Sequence, residues 1–453
     1  MLRRVARRWL MGVGALLLVL TAATSSWAQG LFYAEEVKDG RVYVFNIMAN
    51  WERFKASGEV GTGLTRLNAG PAGETVYADN ETAMELYFFK HGITDKVDRP
   101  APPKVVISYR DGQTTAEFDK GQITFTNRLQ LRFTQQIPDD TIQLPGTAAK
   151  GDGKGSFRIR RYEPQFSGWI YSRDMTYKFE FAFQDLQGGA NAGAINDAFF
   201  NYDFTKGKRQ FRVQMGQFKV PFGRQELTSS FNLQFVDRSI VSGEYERGRD
   251  QGLMLDGLLL TQKLAWSVGM FNGNGRNNVL NDNDKYQFDA RVVLQPWGDV
   301  RYSEADFEST DKPLFALAAQ YENNSLFNTT TGNDLKREIF GGDVVLKYRG
   351  LFLLGEYFDR KFTPETGANF KSNGYNAEAG YNFGKRKWEV AFRYASFDPT
   401  DLRDDDDRTE IGGVVNWFYN RHFAKIQADF RQLENKAANT KDKEFRLQTQ
   451  LYF

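Results

Sequence analysis

From Gly121 to the terminal Phe453, apolar and polar side chains alternate in runs of roughly 10 to 14 residues, the period-two pattern of strands with one apolar and one polar face. Ile123, Phe125, Leu129, Leu131 and Phe133 alternate with Arg128, Gln130 and Arg132. Tyr177, Phe179, Phe181 and Phe183 alternate with Lys178, Glu180 and Gln184, and Tyr375, Ala377, Ala379, Tyr381 and Phe383 with Asn376, Glu378 and Asn382. The last run sets Phe445, Leu447, Leu451 and Phe453 against Arg446, Gln448, Gln450 and Tyr452. The pattern predicts sixteen strands, near 121–137, 155–172, 175–185, 194–205, 209–222, 248–260, 264–273, 285–296, 313–324, 338–349, 351–362, 373–384, 387–399, 407–420, 423–435 and 444–453.

The connections have their own rhythm. Long polar ones, Pro138 to Lys154, Gly223 to Arg247 and Asn272 to Asp284, follow odd strands. Tight ones, Ser172-Arg173-Asp174, Thr261-Gln262-Lys263, Arg349-Gly350 and Asn420-Arg421, follow even strands. Long loops on one side, short turns on the other and aromatic residues near the interfaces are the organisation of a transmembrane β-barrel. Trp417 and Tyr419 sit just before a tight turn, where an aromatic girdle belongs. A soluble β-sandwich explains the alternation but neither the regular length nor the loop rhythm. The predicted fold is therefore all-β, a sixteen-stranded antiparallel transmembrane barrel with a small N-terminal extension.

Upstream the pattern changes. Arg3, Arg4, Arg7 and Arg8, the apolar Leu10 to Ala23 and Ser26-Trp27-Ala28 read as a signal peptide over residues 1–28. Residues 29–120 are mixed: Asn80 is placed to cap a helix from Glu81 to His91 stopped by Gly92, and Asp98 to Pro103 reads as a linker. This segment is expected to be periplasmic or plug-like, with the barrel at 121–453.

Composition narrows the chemistry. The 453-residue chain has 41% hydrophobic and 15% aromatic residues, no cysteine, and two histidines, His91 and His422. Disulfides and thiolate chemistry are excluded, and neither a His-rich metal centre nor a convincing catalytic triad is available. No catalytic residue, metal or cofactor is expected. The formal charge is +2 for the whole chain; removing the four arginines of residues 1–28 leaves 55 basic and 57 acidic residues, a net −2. That rules out a nucleic-acid partner recognised by bulk basicity. The negative mean hydropathy fits a barrel whose polar sublattice lines water.

At Gly216 to Glu226, GQFKVPFGRQE, then Phe235-Val236-Asp237-Arg238-Ser239 and Gly248-Arg249-Asp250, the sequence resembles the phosphate-selective porin O/P family. Phe157 to Arg161, FRIRR, is similar to that family's second strand. The resemblance implies an outer-membrane porin, usually a homotrimer, whose third loop folds into the pore and whose arginines conduct phosphate or other anions. It carries Arg160 and Arg161 onto the second strand, with strand parity allowing only one to face the pore, Arg224 and Arg238 onto the third loop, and Arg249 onto its exit. Phe453 looks like the terminal residue read by the barrel-assembly machinery. One departure is that Ser325 to Arg337 offers only Lys336 and Arg337 beside Asp334, so no lysine-rich outer collar is evident.

Parity adds Arg128, Arg132, Arg158 and Lys178 to the expected pore-lining, anion-binding set. These fall on the first three strands, whereas much of the acid lies on strands four to twelve. The expectation is a basic wall facing a more acidic one across the third loop, in a passive pore of the bacterial outer membrane. Its partners would be membrane lipids and small anions such as phosphate. The alternatives are a general diffusion pore and a plugged structural barrel.

Overall fold

The structure, a computed structural model, describes residues 32–94, 105–138, 153–183, 194–246, 248–278, 280–328 and 332–453. The expected signal peptide lies outside the described residues. The chain divides into two compact units, Met1–Pro102 and Pro103–Phe453.

The first unit contains β1 (Ala34–Lys38), β2 (Arg41–Phe45), α1 (Met48–Ser57), β3 (Leu64–Arg66), β4 (Thr75–Ala78) and α2 (Glu81–Lys90). Its sheet runs β1-β2-β4-β3, with β2 and β4 parallel. Val42, Val44, Val76 and Ala78 of the sheet pack on Ala83, Met84, Tyr87 and Phe88 of α2. Asn80 caps α2 by accepting from the Ala83 amide at 3.0 Å, so one orphan donor of the first turn is satisfied. The sequence pattern identifies α2 but not α1 or the sheet, whose strands are too short for a period-two signal.

The second unit is a large antiparallel sheet. It begins with β5 (Val106–Arg110), β6 (Gln113–Phe118), β7 (Gly121–Thr126), β8 (Arg128–Ile137), β9 (Gly155–Tyr162), β10 (Gln165–Ile170), β11 (Ser172–Ala182), β12 (Ala194–Asp203) and β13 (Arg212–Lys219). Two short helices follow, α3 (Arg224–Leu227) and α4 (Ile240–Tyr245). Then come β14 (Arg249–Leu259), β15 (Leu264–Phe271), β16 (Gln287–Leu294), β17 (Leu314–Asn328), β18 (Asn333–Tyr348) and β19 (Leu351–Pro364). The chain ends with β20 (Phe370–Phe383), β21 (Trp388–Asp398), β22 (Arg408–Asn420), β23 (Ala424–Asn435) and β24 (Thr440–Tyr452).

Twenty strands belong to this sheet, not the sixteen predicted. The excess has a local origin. The hairpin β5–β6, read as part of the N-terminal segment, pairs with β7 and so extends the sheet. The first predicted run is split at Asn127 into β7 and β8, and the second at Glu163-Pro164 into β9 and β10, where Pro164 has no N–H for a ladder. β24 pairs with β8, and β10 with β7.

The alternation is inverted relative to a water-soluble sheet. In β20, Ser372, Asn376, Glu378 and Asn382 are buried, while Tyr375, Tyr381 and Phe383 are exposed. The same inversion buries Arg393 and exposes Phe392 and Tyr394 in β21. An apolar outer face and a buried polar inner face fit a sheet surrounded by lipid.

Two connections turn into the interior. Residues 220–248 carry α3 and α4 inward, where Phe222, Phe231, Phe235, Val241 and Tyr245 are buried. Residues 297–312, the connection left between the eighth and ninth predicted strands, also fold inward: Val300, Glu304, Ala305 and Asp306 are buried. Glu304 accepts from the Gln234 amide at 2.7 Å and its own amide donates to the Asn232 carbonyl, joining the two insertions.

Phe392 lies near the middle of β21 and is 69% exposed. Phe392→Arg is expected to destabilise the folded protein in lipid vesicles by about 2–4 kcal/mol in urea titrations. An unchanged midpoint would contradict a lipid-facing position.

Candidate functional site

The inward loop is fastened to one side of the interior. Its backbone amides donate to wall side chains: Gly223 to Gln320, Arg224 and Gln225 to Glu356, Val236 to Asp429 and Ile240 to Glu410. Glu356 and Glu410 thereby satisfy the first amides of α3 and α4, where helix N-terminal donors otherwise lack partners. In the other direction Gln130, Arg132, Arg393, Lys425 and Gln450 donate to the carbonyls of Ser230, Val236, Asp237, Leu233 and Phe231. The attachments run from β17 through β19 and β21–β24 to β8.

On the other side of the loop is a cavity of about 440 Å³. Six basic residues line it, Arg128, Arg161, Lys178, Lys219, Arg238 and Arg249, against three acids, Glu163, Glu180 and Asp197. Five of the nine residues proposed from sequence meet here. The charges form a network: Arg128 contacts Glu163 at 3.0 Å and Glu180 at 2.7 Å. Lys178 reaches Glu180 and Asp197 at 2.7 and 2.6 Å, and Arg249 reaches Asp197 at 2.7 Å and Glu180 at 3.2 Å. Lys219 and Arg238 share the carbonyls of Glu226 and Thr228 at the end of α3, and Arg238 also pairs with the Glu226 carboxylate at 3.1 Å.

Beside this cavity Asp237 collects four arginines. Arg132 lies at 2.5 Å, Arg161 at 2.9 Å, Arg160 at 3.6 Å and Arg446 at 3.7 Å. Burial raises the Asp237 carboxyl, but the guanidinium groups of Arg132, Arg161 and Arg160 outweigh it and hold the group well below the usual carboxylate range. Strand parity was expected to admit only one of Arg160 and Arg161. The register shows why both reach Asp237: Gln130 faces Arg161 while Leu131 faces Ile159, leaving Arg160 as the extra residue of a β-bulge.

The remaining predicted residues sit elsewhere. Arg158 is half-buried, opposite Arg132 in the register, and does not line the cavity. Arg224 is directed to the second insertion, donating to the carbonyls of Val300 at 2.7 Å and Arg301 at 3.1 Å over the Tyr302 ring. Sequence reasoning overlooked Asp237 although it lies within the FVDRS stretch, because only basic residues were carried over. It also overlooked Glu163, Lys219 and Glu226. The two histidines are structural in placement: His91 follows α2, and His422 Nε2 lies 2.8 Å from the Glu304 carbonyl. Since a carbonyl only accepts, Nε2 carries the hydrogen and Nδ1 accepts from Lys425.

An inverted antiparallel sheet with an inward third loop and a charged, partly open interior defines an outer-membrane β-barrel porin. The family model for phosphate-selective porin O and P matches residues 131–453, and the chain belongs to that family. An uncharacterised protein of Aquifex aeolicus (strain VF5) is 24% identical over 273 residues, spanning 54% of this chain and 65% of that protein's length. Among solved structures, the anion-selective porin from Comamonas acidovorans is similar with a TM-score of 0.54 at 13% identity, over 74% of this chain and 100% of its own. The outer-membrane channel DcaP of Acinetobacter baumannii has a TM-score of 0.54 at 10% identity, over 74% and 98%. The trimer form of the Vibrio cholerae outer-membrane protein OmpT has a TM-score of 0.50 at 10% identity, over 74% and 100%. These likenesses concern the fold. The chain is a channel protein of the bacterial outer membrane.

Two outcomes are expected. Asp237→Asn removes a carboxylate shared by Arg132, Arg160 and Arg161 and should raise the anion-to-cation permeability ratio in bilayer reversal potentials; an unchanged or lower ratio refutes the role. Burial, followed by the charge of Glu378, raises the Glu304 carboxyl from 4.5 to about 8. A raised folded-state value favours the native protein while the group is protonated, and that contribution is lost as pH climbs from about 4.5 through about 8. Stability measured between pH 6 and about 9 should therefore fall less steeply in Glu304→Gln than in the parent.

Proposed function

We propose that the chain is a passive porin that prefers small anions, phosphate among them, through a passage bounded by the third loop and the basic wall of β8–β14. The excess of basic over acidic residues around the 440 Å³ cavity carries this reading. On the opposite wall Glu356, Glu410 and Asp429 accept loop backbone amides, and Glu378, Asp343 and Glu322 are paired with arginines. A low-dielectric wall focuses the field of the remaining cations, and guanidinium groups match the two-oxygen faces of oxyanions. The family description and the anion selectivity in the name of the Comamonas acidovorans porin support the same direction.

The barrel is read as sixteen staves: β7 with β8, β9 with β10, and β11 to β24 singly, closed by the β24–β8 pairing. Reciprocal backbone bonds between Asn127 and Phe453 hold Phe453 beside the first stave. A homotrimer, as in the named trimer form of Vibrio cholerae OmpT, and export by residues 1–28 complete the proposal. The first unit has a core of its own and is read as a separate periplasmic or plug-like element.

Zero-current potentials across a KCl gradient test the reading. The parent should show anion preference, Arg249→Gln should reduce it, and phosphate should compete with chloride current. Cation preference in the parent would refute the proposal, whereas absence of phosphate competition would leave a general anion pore.

A further inference from the structure

The inner face of β16 and β17 carries a second arrangement, away from the arginine cluster. Asp289 and Glu322 stand directly opposite each other in the register, and Gln287 and Asn324 lie two residues from them on the same two strands. All four are buried, none more than 1% exposed. Like charges facing each other across two strands repel, and burial removes the water that would screen them.

The two side-chain amides are committed by their N–H groups. The Gln287 amide donates to Asp289 Oδ2 at 2.8 Å, and the Asn324 amide donates to the Gly273 carbonyl at 3.0 Å. Arg337 takes Glu322 Oε1, and Arg291, two residues along from Asp289, pairs with Asp343 at 2.6 Å. Among the described residues this leaves Asp289 Oδ1, Glu322 Oε2, Gln287 Oε1 and Asn324 Oδ1 buried without a donor. The Gln287 orientation follows from its N–H bond to Asp289, which leaves its Oε1 as a buried acceptor beside the carboxylates.

We infer that this face holds a divalent cation of the calcium class, ligated by the carboxylates of Asp289 and Glu322 with the amide oxygens of Gln287 and Asn324. Two carboxylates and two neutral oxygens are a hard donor set, and calcium accepts six to eight such ligands with loose geometry. Magnesium demands a stricter octahedron and gives up its water reluctantly. A bound cation replaces the repulsion across the β16–β17 pair with a shared partner.

The test uses the full chain purified in detergent and washed with chelator, titrated with CaCl2 at constant chloride by calorimetry and followed by thermal unfolding. The parent should bind calcium at one site per chain, with a higher unfolding temperature and weaker competition from magnesium. Asp289→Asn with Glu322→Gln should lose both the heat and the shift. Gln287→Leu, which keeps both carboxylates, should weaken binding and serves if the double variant does not fold. The inference is overturned if the parent shows no calcium-dependent shift, or if that shift persists in the double variant, which would assign it to another site.

Discussion

A loop carried into the interior of a sheet has to satisfy its own backbone there, because a buried amide or carbonyl without a partner costs about as much as a lost hydrogen bond. The rest of the second unit depends on how this is met. The walls of β17–β24 and β8 supply it with charged and amide side chains, from Glu356 under α3 to Gln450 beside Phe231. Those side chains are the inward members of an alternating pattern whose outward members, such as Tyr381 and Phe392, meet lipid. One alternation therefore inserts the protein in a membrane and equips its interior to hold the loop.

The attachment also sorts the charges. Acids at Glu356, Glu410 and Asp429 accept loop amides, so part of their charge is engaged with the chain. Across the loop, Arg128, Lys178 and Arg249 are braced by Glu180 and Asp197 but remain in the lining of an open cavity. Breaking a buried ion pair typically costs about 3–5 kcal/mol, which explains why the same acids are needed for the arginines to sit there at all. Pairing and selectivity are not competing accounts: the acids position the cations, and in the passage we propose the excess of cations would set the sign of the field.

The sequence pattern made the faces of the strands legible. Arg132, Arg393, Arg446, Glu180, Glu378 and Asp429 are inward as parity requires, because a period of two leaves no freedom once one face is apolar. Register irregularities were not legible: nothing in Arg158-Ile159-Arg160-Arg161 announces a bulge, yet the bulge brings both arginines to Asp237. The β5–β6 hairpin escaped because two five- to six-residue strands give little alternation to read. Residues 297–312 read as a polar connection, and polarity does not say whether a loop faces water outside or polar walls inside. The third loop was recognised through the family resemblance, and its anchoring carboxylates could be seen only once distant strands were brought together.

The passage we propose runs between the third loop and the basic wall, in a positive field. The chain has no cysteine, so a single Ser230→Cys in the lining of the cavity can report on that field without background. The rates at which it reacts with anionic and cationic thiosulfonate reagents of equal size, each normalised to a free thiol, measure the local potential. A positive field gives faster modification by the anionic reagent, with the difference shrinking as salt is raised. Equal rates, or faster reaction with the cationic reagent, would contradict it.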